Sequence, residues 1–405
     1  MTDPIIVVGA SQAGLQVAES LRADGYDGPL LMIGDEPHPP YQRPPLSKAL
    51  LTGESTEDRL VLRGRDLLAK KNIELITGVR VDAIERATRR VQLSDGRSLA
   101  YSGVALATGG RARALPIPGA GLDGVVTLRT IEDSRRIAAG IAQASSIAVV
   151  GGGFIGLEIA AAARKAKKPV VVFEALERLL ARSSAPFVSD FFRDIHAVSG
   201  VDVRLDTQVA AIDGKDGRVA AVITRDGRAH PADLVVVGVG IVANAELAEE
   251  SGIACERGIV VDGCSRTSDD AVVAAGDCTA RRLADGSLLR LESVQNAIEQ
   301  GKSAAAALLG RERPFTAAPW FWSDQFDVRL QMAGLSAGHD RIVVRGAPAE
   351  RKFSVFYFRA ERLIAVDTVN RAPDHIAARK LLDAGKSPTF AQAQDDGFAL
   401  ASLLR

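Results

Sequence analysis

Apolar residues in this chain gather in short, unbroken runs, and each run ends in a glycine turn. Ile5-Ile6-Val7-Val8 precedes Gly9, Val104 to Ala107 precedes Thr108-Gly109-Gly110, Ile147-Ala148-Val149-Val150 precedes Gly151, and Leu234 to Val239 precedes Gly240. Such runs predict strands buried on both faces, as in a parallel sheet. Ala-rich helical stretches follow Gly14 and Gly156, so strand and helix alternate from residue 5 to about 110 and again from about 125 to 235. Arg111 to Gly124, rich in Pro and Gly, reads as the crossover between these units. The run Ala271 to Ala275 puts Gly276-Asp277 at a strand tip, before a helix from Val294 to Leu309. After Arg313-Pro314 the texture changes. Trp320 and Trp322 are the only tryptophans, and β segments such as Arg341 to Val344 and Phe353 to Phe358 lead into a helical tail.

With 405 residues the chain is too long for one core, and two or three domains are expected. Fifty basic residues balance fifty acidic ones, which argues against a nucleic-acid partner. The longest apolar run is too short to span a bilayer, so no membrane partner is expected. Met1-Thr2-Asp3-Pro4 leads straight into the first strand, so no signal peptide is expected. Cys255, Cys264 and Cys278 are few and unclustered, which fits a cytoplasmic setting and neither a disulfide framework nor an iron–sulfur site. Residues 1–254 hold no cysteine, which argues against redox chemistry by a thiol pair. His38, His196, His230, His339 and His375 lack metal-ligand spacing, and no protein metal is expected.

Two of the runs carry a dinucleotide fingerprint. The first is Gly9-Ala10-Ser11-Gln12-Ala13-Gly14 and the second Gly151-Gly152-Gly153-Phe154-Ile155-Gly156. Glycines there permit a tight turn and bring backbone N–H groups to a pyrophosphate at a helix N-terminus. Each unit has a carboxylate at ribose-binding distance: Asp35, with Glu36, ends the strand Leu30 to Ile33, and Glu174 ends the strand Val170 to Phe173. Ser11 departs from glycine at the second position, which weakens the local match. Glu174 would repel a 2′-phosphate and favour NADH, with Arg178 the nearest residue able to offset it. Lys48 follows Pro44-Pro45, where a helix start is expected, and a cation in a first helical turn opposes the helix dipole. Asp277 at a strand's carboxyl tip is placed to meet a ligand.

These residues resemble the NADH-dependent, FAD-containing ferredoxin reductases of bacterial cytochrome P-450 and Rieske oxygenase systems, the putidaredoxin reductase and biphenyl dioxygenase reductase family. The marks run through the whole chain: Arg43-Pro44-Pro45-Leu46-Ser47-Lys48, Ala107-Thr108-Gly109, Leu128-Arg129-Thr130, Gly151 to Glu158, Gly276-Asp277, Glu292 to Ala297 and Phe321-Trp322-Ser323-Asp324-Gln325. The resemblance implies an α/β fold with two Rossmann-like domains of the glutathione-reductase type and an α+β C-terminal domain. A discontinuous FAD domain (1–110 and 236–314), an inserted NAD domain (111–235) and a C-terminal domain (315–405) are expected.

Implied FAD contacts include Gly9, Ser11, Ala13, Gly14, Asp35, Glu36, Arg43, Lys48, Val81, Ala107, Thr108, Gly109, Arg129, Gly276, Asp277, Ser293, Val294 and Trp322. Gly151, Gly153, Phe154, Ile155, Gly156 and Glu174 would serve NADH, and Glu158 and Gly240 are further cofactor-binding candidates. Lys48 would pair with Glu158 close to the flavin's reactive nitrogen, giving both residues the catalytic role. The expected activity passes electrons from NADH through FAD to a [2Fe–2S] ferredoxin. Arg63, Arg65 and Lys302 are candidates for the docking face of this acidic partner. The alternatives are a related reductase with a quinone or monodehydroascorbate-type acceptor, and a redox-sensing binding protein.

Overall fold

A computed structural model of the chain describes residues 3–405, so Met1 and Thr2, with the reading of the N-terminus that rests on them, lie outside the described residues. By contact the chain divides into two compact units, Met1–Gln42 with Asp58–Arg111 and Ile241–Pro319, and Arg43–Glu57 with Ala112–Gly240 and Trp320–Arg405.

The first unit is built on a five-stranded sheet in the order Val272–Ala274, Gly103–Leu106, Ile5–Val8, Leu30–Gly34, Glu74–Thr77. Every pairing is parallel, with Ile5 opposite both Leu30 and Gly103. Alternate residues leave the sheet on opposite faces, which is why the runs are apolar throughout. Ile5, Val7, Ala105 and Val273 pack with helices Gln12–Ala23 and Val294–Leu308. Ile6, Val8, Val104 and Leu106 pack with Val81, Ile84, Val91 and Leu93, chiefly from a three-stranded antiparallel sheet.

The second unit repeats the plan. Its parallel sheet runs Val201–Arg204, Val170–Phe173, Ile147–Val150, Leu234–Val237, Val125–Thr127. The run expected to reach Val239 ends as a strand at Val237, and Gly240 follows in a left-handed turn (φ +103°). Residues 320–369 form a five-stranded antiparallel sheet ordered Trp320–Gln325, Val328–Gly334, Arg362–Val369, Lys352–Arg359, Arg341–Ala347, with helix Ala372–Asp383 packed on it.

The contact units depart from the expected domain boundaries by a few residues at 236–240, which fall in the second unit, and at 315–319, which fall in the first, and more substantially at two segments. Arg43–Glu57 and Trp320–Arg405 both group with the second nucleotide fold. The physical reason is a shared core: Val328, Leu330, Phe353 and Tyr357 of the C-terminal sheet lie in one cluster with Val149, Leu157, Val172 and Leu51.

Candidate functional site

In the first unit, parallel register sets the carboxyl ends of four strands side by side, because Val8 pairs with Ile33 and Leu106, and Leu106 with Ala274. Gly9, Asp35, Ala107–Gly109 and Gly276–Asp277 therefore share one sheet edge. Gly9 has φ +115°, and a Cβ there would lie 2.1 Å from the Ala107 carbonyl oxygen. A Cβ on Gly14 would lie 1.8 Å from the Gly9 oxygen, so both glycines are required by the fold itself.

Ser11 is the N-cap of helix Gln12–Ala23, with φ −120° and a side chain that makes no capping hydrogen bond. That backbone suits any residue, so the departure from glycine strains nothing. Asp35 is exposed, and the Glu36 carboxylate accepts a hydrogen bond from the Tyr41 hydroxyl. Ala13 is buried and packs against Gly276, where a Cβ would come within 2.9 Å of it. Val81 is also buried, on the antiparallel sheet.

Three residues without a sequence signal stiffen this edge. Gln300 Oε1 accepts from Gly276 N–H (2.8 Å), the Thr279 hydroxyl (3.0 Å) and the Asn296 amide (3.1 Å). The Thr108 hydroxyl donates to the Asn244 carbonyl (2.6 Å), while Asn244 Nδ2 returns a bond to Thr108 O (3.0 Å) and its N–H bonds Gly109 O (3.0 Å). Ser293 caps helix Val294–Leu308 through Asn296 N–H.

In the second unit Gly151 has φ +109°, and a Cβ would lie 2.5 Å from Gly238 O; one on Gly156 would lie 2.2 Å from Gly151 O. Gly153 differs, with φ −82° and no atom of the fold within 4 Å of the place a Cβ would take. The fold itself therefore does not require glycine here, and the bare backbone leaves room for a group that approaches closely, as a pyrophosphate at a helix N-terminus does.

Glu174 closes this turn: its Oε2 accepts from Gly152 N–H (2.7 Å) and its Oε1 from Leu176 N–H (2.9 Å). Arg178 does not offset it. The Arg178 guanidinium is taken up by Ser184 O (2.6 Å), Ala181 O (2.8 Å) and Ser189 Oγ (2.9 Å). Phe154 packs on Phe321 with centroids 4.8 Å apart, and Ile155 is exposed. The bare glycine backbones, the open position at Gly153 and a carboxylate beside the turn fit a dinucleotide in this unit, and the paired turn in the first unit fits a second one.

Lys48 requires a correction. The expected helix start is a short 3₁₀ turn, Pro44–Ser47, and Lys48 closes its carboxyl end, its N–H donating to Pro45 O (3.0 Å). A cation is welcome at that end, so the dipole argument does not make Lys48 unusual. Its ion pair does. Lys48 Nζ lies 2.8 Å from Glu158 Oε1, with side chains 16% and 1% exposed. Glu158 also accepts from the Ser47 hydroxyl at Oε2 (2.5 Å) and the Ser323 hydroxyl at Oε1 (2.5 Å). A buried charge survives only when paired and hydrogen-bonded, and this one has three donors. Ser47 and Ser323 stand inside the quoted motifs, yet nothing in their spacing assigns them a role.

Nearby, Arg43 Nη1 donates to the Arg129 carbonyl (2.6 Å), and Thr130 with Asp133 forms a capping box that starts helix Ile131–Gln143. The Trp322 ring lies 5.6 Å from that of Trp320.

The docking candidates are engaged locally. Arg63 and Lys71 share Glu19 (2.8 and 2.7 Å), Arg65 donates to Thr77 Oγ1, and Lys302 pairs with Glu299 one turn back (2.7 Å). Two of the three thiols are poor nucleophiles: burial pushes Cys255 up to about 11 and raises Cys278 as well. Among the described residues no three His, Cys, Asp or Glu side chains cluster as metal ligands, and no helix is long and apolar enough to cross a membrane.

Residues 3–301 match the family described as pyridine nucleotide-disulphide oxidoreductase, and residues 320–404 match the reductase C-terminal family. Rhodocoxin reductase of Rhodococcus erythropolis is 45% identical over 397 residues, covering 98% of this chain and 93% of that one. Among solved structures, the ferredoxin reductase for the CYP199A2 system from Rhodopseudomonas palustris superposes with TM-score 0.96 at 42% identity, covering 99% of each chain. The reductase in the covalent putidaredoxin reductase–putidaredoxin complex superposes with TM-score 0.95 at 41% identity, covering 99% of this chain and 98% of that one.

Proposed function

The chain belongs to the pyridine nucleotide-disulphide oxidoreductase family, among the ferredoxin reductases of oxygenase systems, and from that premise we propose how its residues share the work. It is an FAD-dependent NADH:ferredoxin oxidoreductase, with a [2Fe–2S] ferredoxin of a cytochrome P-450 or Rieske-type oxygenase as acceptor. The family's disulphide chemistry is absent, since no cysteine precedes Cys255. The observation that carries the reading is the duplicated glycine turn, one in each compact unit and each with its own carboxylate.

FAD, when bound, supplies the conversion of one hydride into two single-electron transfers. Gly9 and Gly14 expose backbone to its pyrophosphate, and Asp35 with Glu36 accepts hydrogen bonds from its ribose. Ala13, Val81, Thr108, Asp277, Ser293 and Val294 complete the contacts from that unit. Gly151, Gly153 and Gly156 do the same for NADH, and Glu174 accepts from its ribose hydroxyls, with Phe154, Ile155 and Gly240 around the turn. Lys48, held by Glu158, would supply positive charge to the flavin, and Arg43, Arg129 and Trp322 would be further residues that hold it. The ferredoxin docks against positive charge that includes Arg63, Arg65 and Lys302, and the enzyme works in the cytoplasm.

The test is a comparison of acceptors. With the FAD-loaded enzyme and saturating NADH, a [2Fe–2S] ferredoxin should exceed a quinone and the ascorbate radical in kcat/KM. A higher kcat/KM for either small acceptor would overturn the reading.

A further inference from the structure

Glu158 is gripped from a side that neither glycine turn explains. Ser323 and Gln325 stand two residues apart on strand Trp320–Gln325, so their side chains share one face of it. Both are buried, as is His196 on helix Pro186–Val198. The four groups form one line. His196 Nε2 lies 2.8 Å from Gln325 Oε1, Gln325 Nε2 lies 3.1 Å from Ser323 Oγ, and Ser323 Oγ lies 2.5 Å from Glu158 Oε1.

The direction of this line follows from its chemistry. A carboxylate offers no proton, so the Ser323 hydroxyl spends its only proton on Glu158 and must accept from the Gln325 amide N–H. That leaves the Gln325 carbonyl facing His196, so Nε2 of the ring carries the hydrogen. His196 Nδ1 is buried and has no hydrogen-bond partner among the described residues, which leaves the ring bonded through Nε2 alone. Burial also holds the ring neutral down to about pH 4. It donates a hydrogen bond and brings no charge.

We propose that Ser323, Gln325 and His196 are positioning residues for the Lys48–Glu158 pair: a buried, one-way chain of donors that orients the Glu158 carboxylate and so fixes the Lys48 ammonium. A serine alone rotates among acceptors. A serine whose lone pairs are claimed by Gln325 has one place to send its proton. The inference rests on the reading that Lys48 acts at the flavin.

Ser323→Ala, Gln325→Met (close in shape, without the amide) and Lys48→Met are compared in the FAD-loaded enzyme, with the two double variants that join Lys48→Met to each. Each single variant should slow NADH-driven flavin reduction at saturating NADH about tenfold, the cost of about one hydrogen bond to a charged group. The KM for NADH should stay unchanged. Each double variant should be no slower than Lys48→Met, because Ser323 and Gln325 act only through the pair. If Ser323→Ala does not retain FAD, the Gln325→Met cycle decides alone. Ring ¹⁵N spectra of the unreduced holoenzyme should show His196 protonated at Nε2. Multiplicative slowing in the double variants, protonation at Nδ1, or a normal rate in the Ser323 and Gln325 variants beside a slowed Lys48→Met would overturn the inference. An unchanged Lys48→Met would instead overturn the reading of Lys48 on which it depends.

Discussion

Glu174→Gln isolates the charge that we propose sets coenzyme preference. Wild-type Glu174 holds its carboxylate on Gly152 N–H (2.7 Å) and Leu176 N–H (2.9 Å), beside the second glycine turn. A 2′-phosphate oxygen about 4 Å from that carboxylate meets a repulsion of about 4 kcal/mol at an effective dielectric near 20. Two backbone donors and mobile ions spread and screen this charge, so roughly two powers of ten in kcat/KM is the part to expect. Arg178 adds no counter-charge, because carbonyls and a serine hydroxyl occupy its guanidinium. Wild type should therefore favour NADH over NADPH by at least about 100-fold. In Glu174→Gln the amide oxygen can still accept from Gly152 N–H, while the exposed Leu176 N–H gives up its side-chain acceptor, so the turn should stand at a modest cost while the charge disappears. The ratio should fall to within about tenfold, mostly through a lower KM for NADPH. Steady-state rates with both coenzymes and a ferricyanide acceptor check this. Comparable kcat/KM values in wild type, or a ratio that survives the substitution, would refute the electrostatic argument.

Two glycines of one turn should fail differently. Gly151→Ala places a Cβ 2.5 Å from Gly238 O at φ +109°, and should cost at least about 3 kcal/mol in thermal unfolding. Gly153→Ala meets nothing within the fold and should leave Tm unchanged while raising the KM for NADH about tenfold or more. Charge reversal at Arg63 or Lys302 should slow ferredoxin reduction and flatten its salt dependence, yet leave ferricyanide reduction normal; equal loss with both acceptors would move the docking face elsewhere. Burial raises Asp367 to about 7, with the Tyr357 hydroxyl bonded to it at 2.7 Å. A carboxyl raised in the folded state contributes stability that is full below about pH 4 and lost as pH rises through about 7. Asp367→Asn should remove that loss, so the mutant-minus-wild-type Tm difference should grow in the mutant's favour between pH 5 and 8; a constant difference would contradict the burial argument.

The nucleotide turns were legible in the sequence because what they require is local. Gly9 and Gly151 need positive φ, Gly14 and Gly156 must clear a carbonyl within five residues, and the apolar runs need both faces covered. Glu174 was legible for the same reason, since a strand of known length delivers its last residue to the turn. Lys48 was legible as a residue but not in its setting: two prolines announce a turn, and whether it continues as helix depends on what packs against it. Lys48 was expected as a partner of Glu158 through the family resemblance, but the two serine partners of Glu158 were not legible. Ser47 reaches it across 111 positions and Ser323 across 165, and His196 meets Gln325 across 129.

Hydrophobic period and glycine spacing thus determined two dinucleotide-type folds and their glycine turns, because those depend on neighbours a few residues away. Tertiary structure alone decided that the C-terminal sheet shares a core with the second fold, that Arg178 is spent on backbone carbonyls, and that a buried carboxylate has three donors and a fixed orientation. Each of these is set by packing between distant segments, where burial makes an unpaired polar group costly and so selects its partner from whatever the fold brings near.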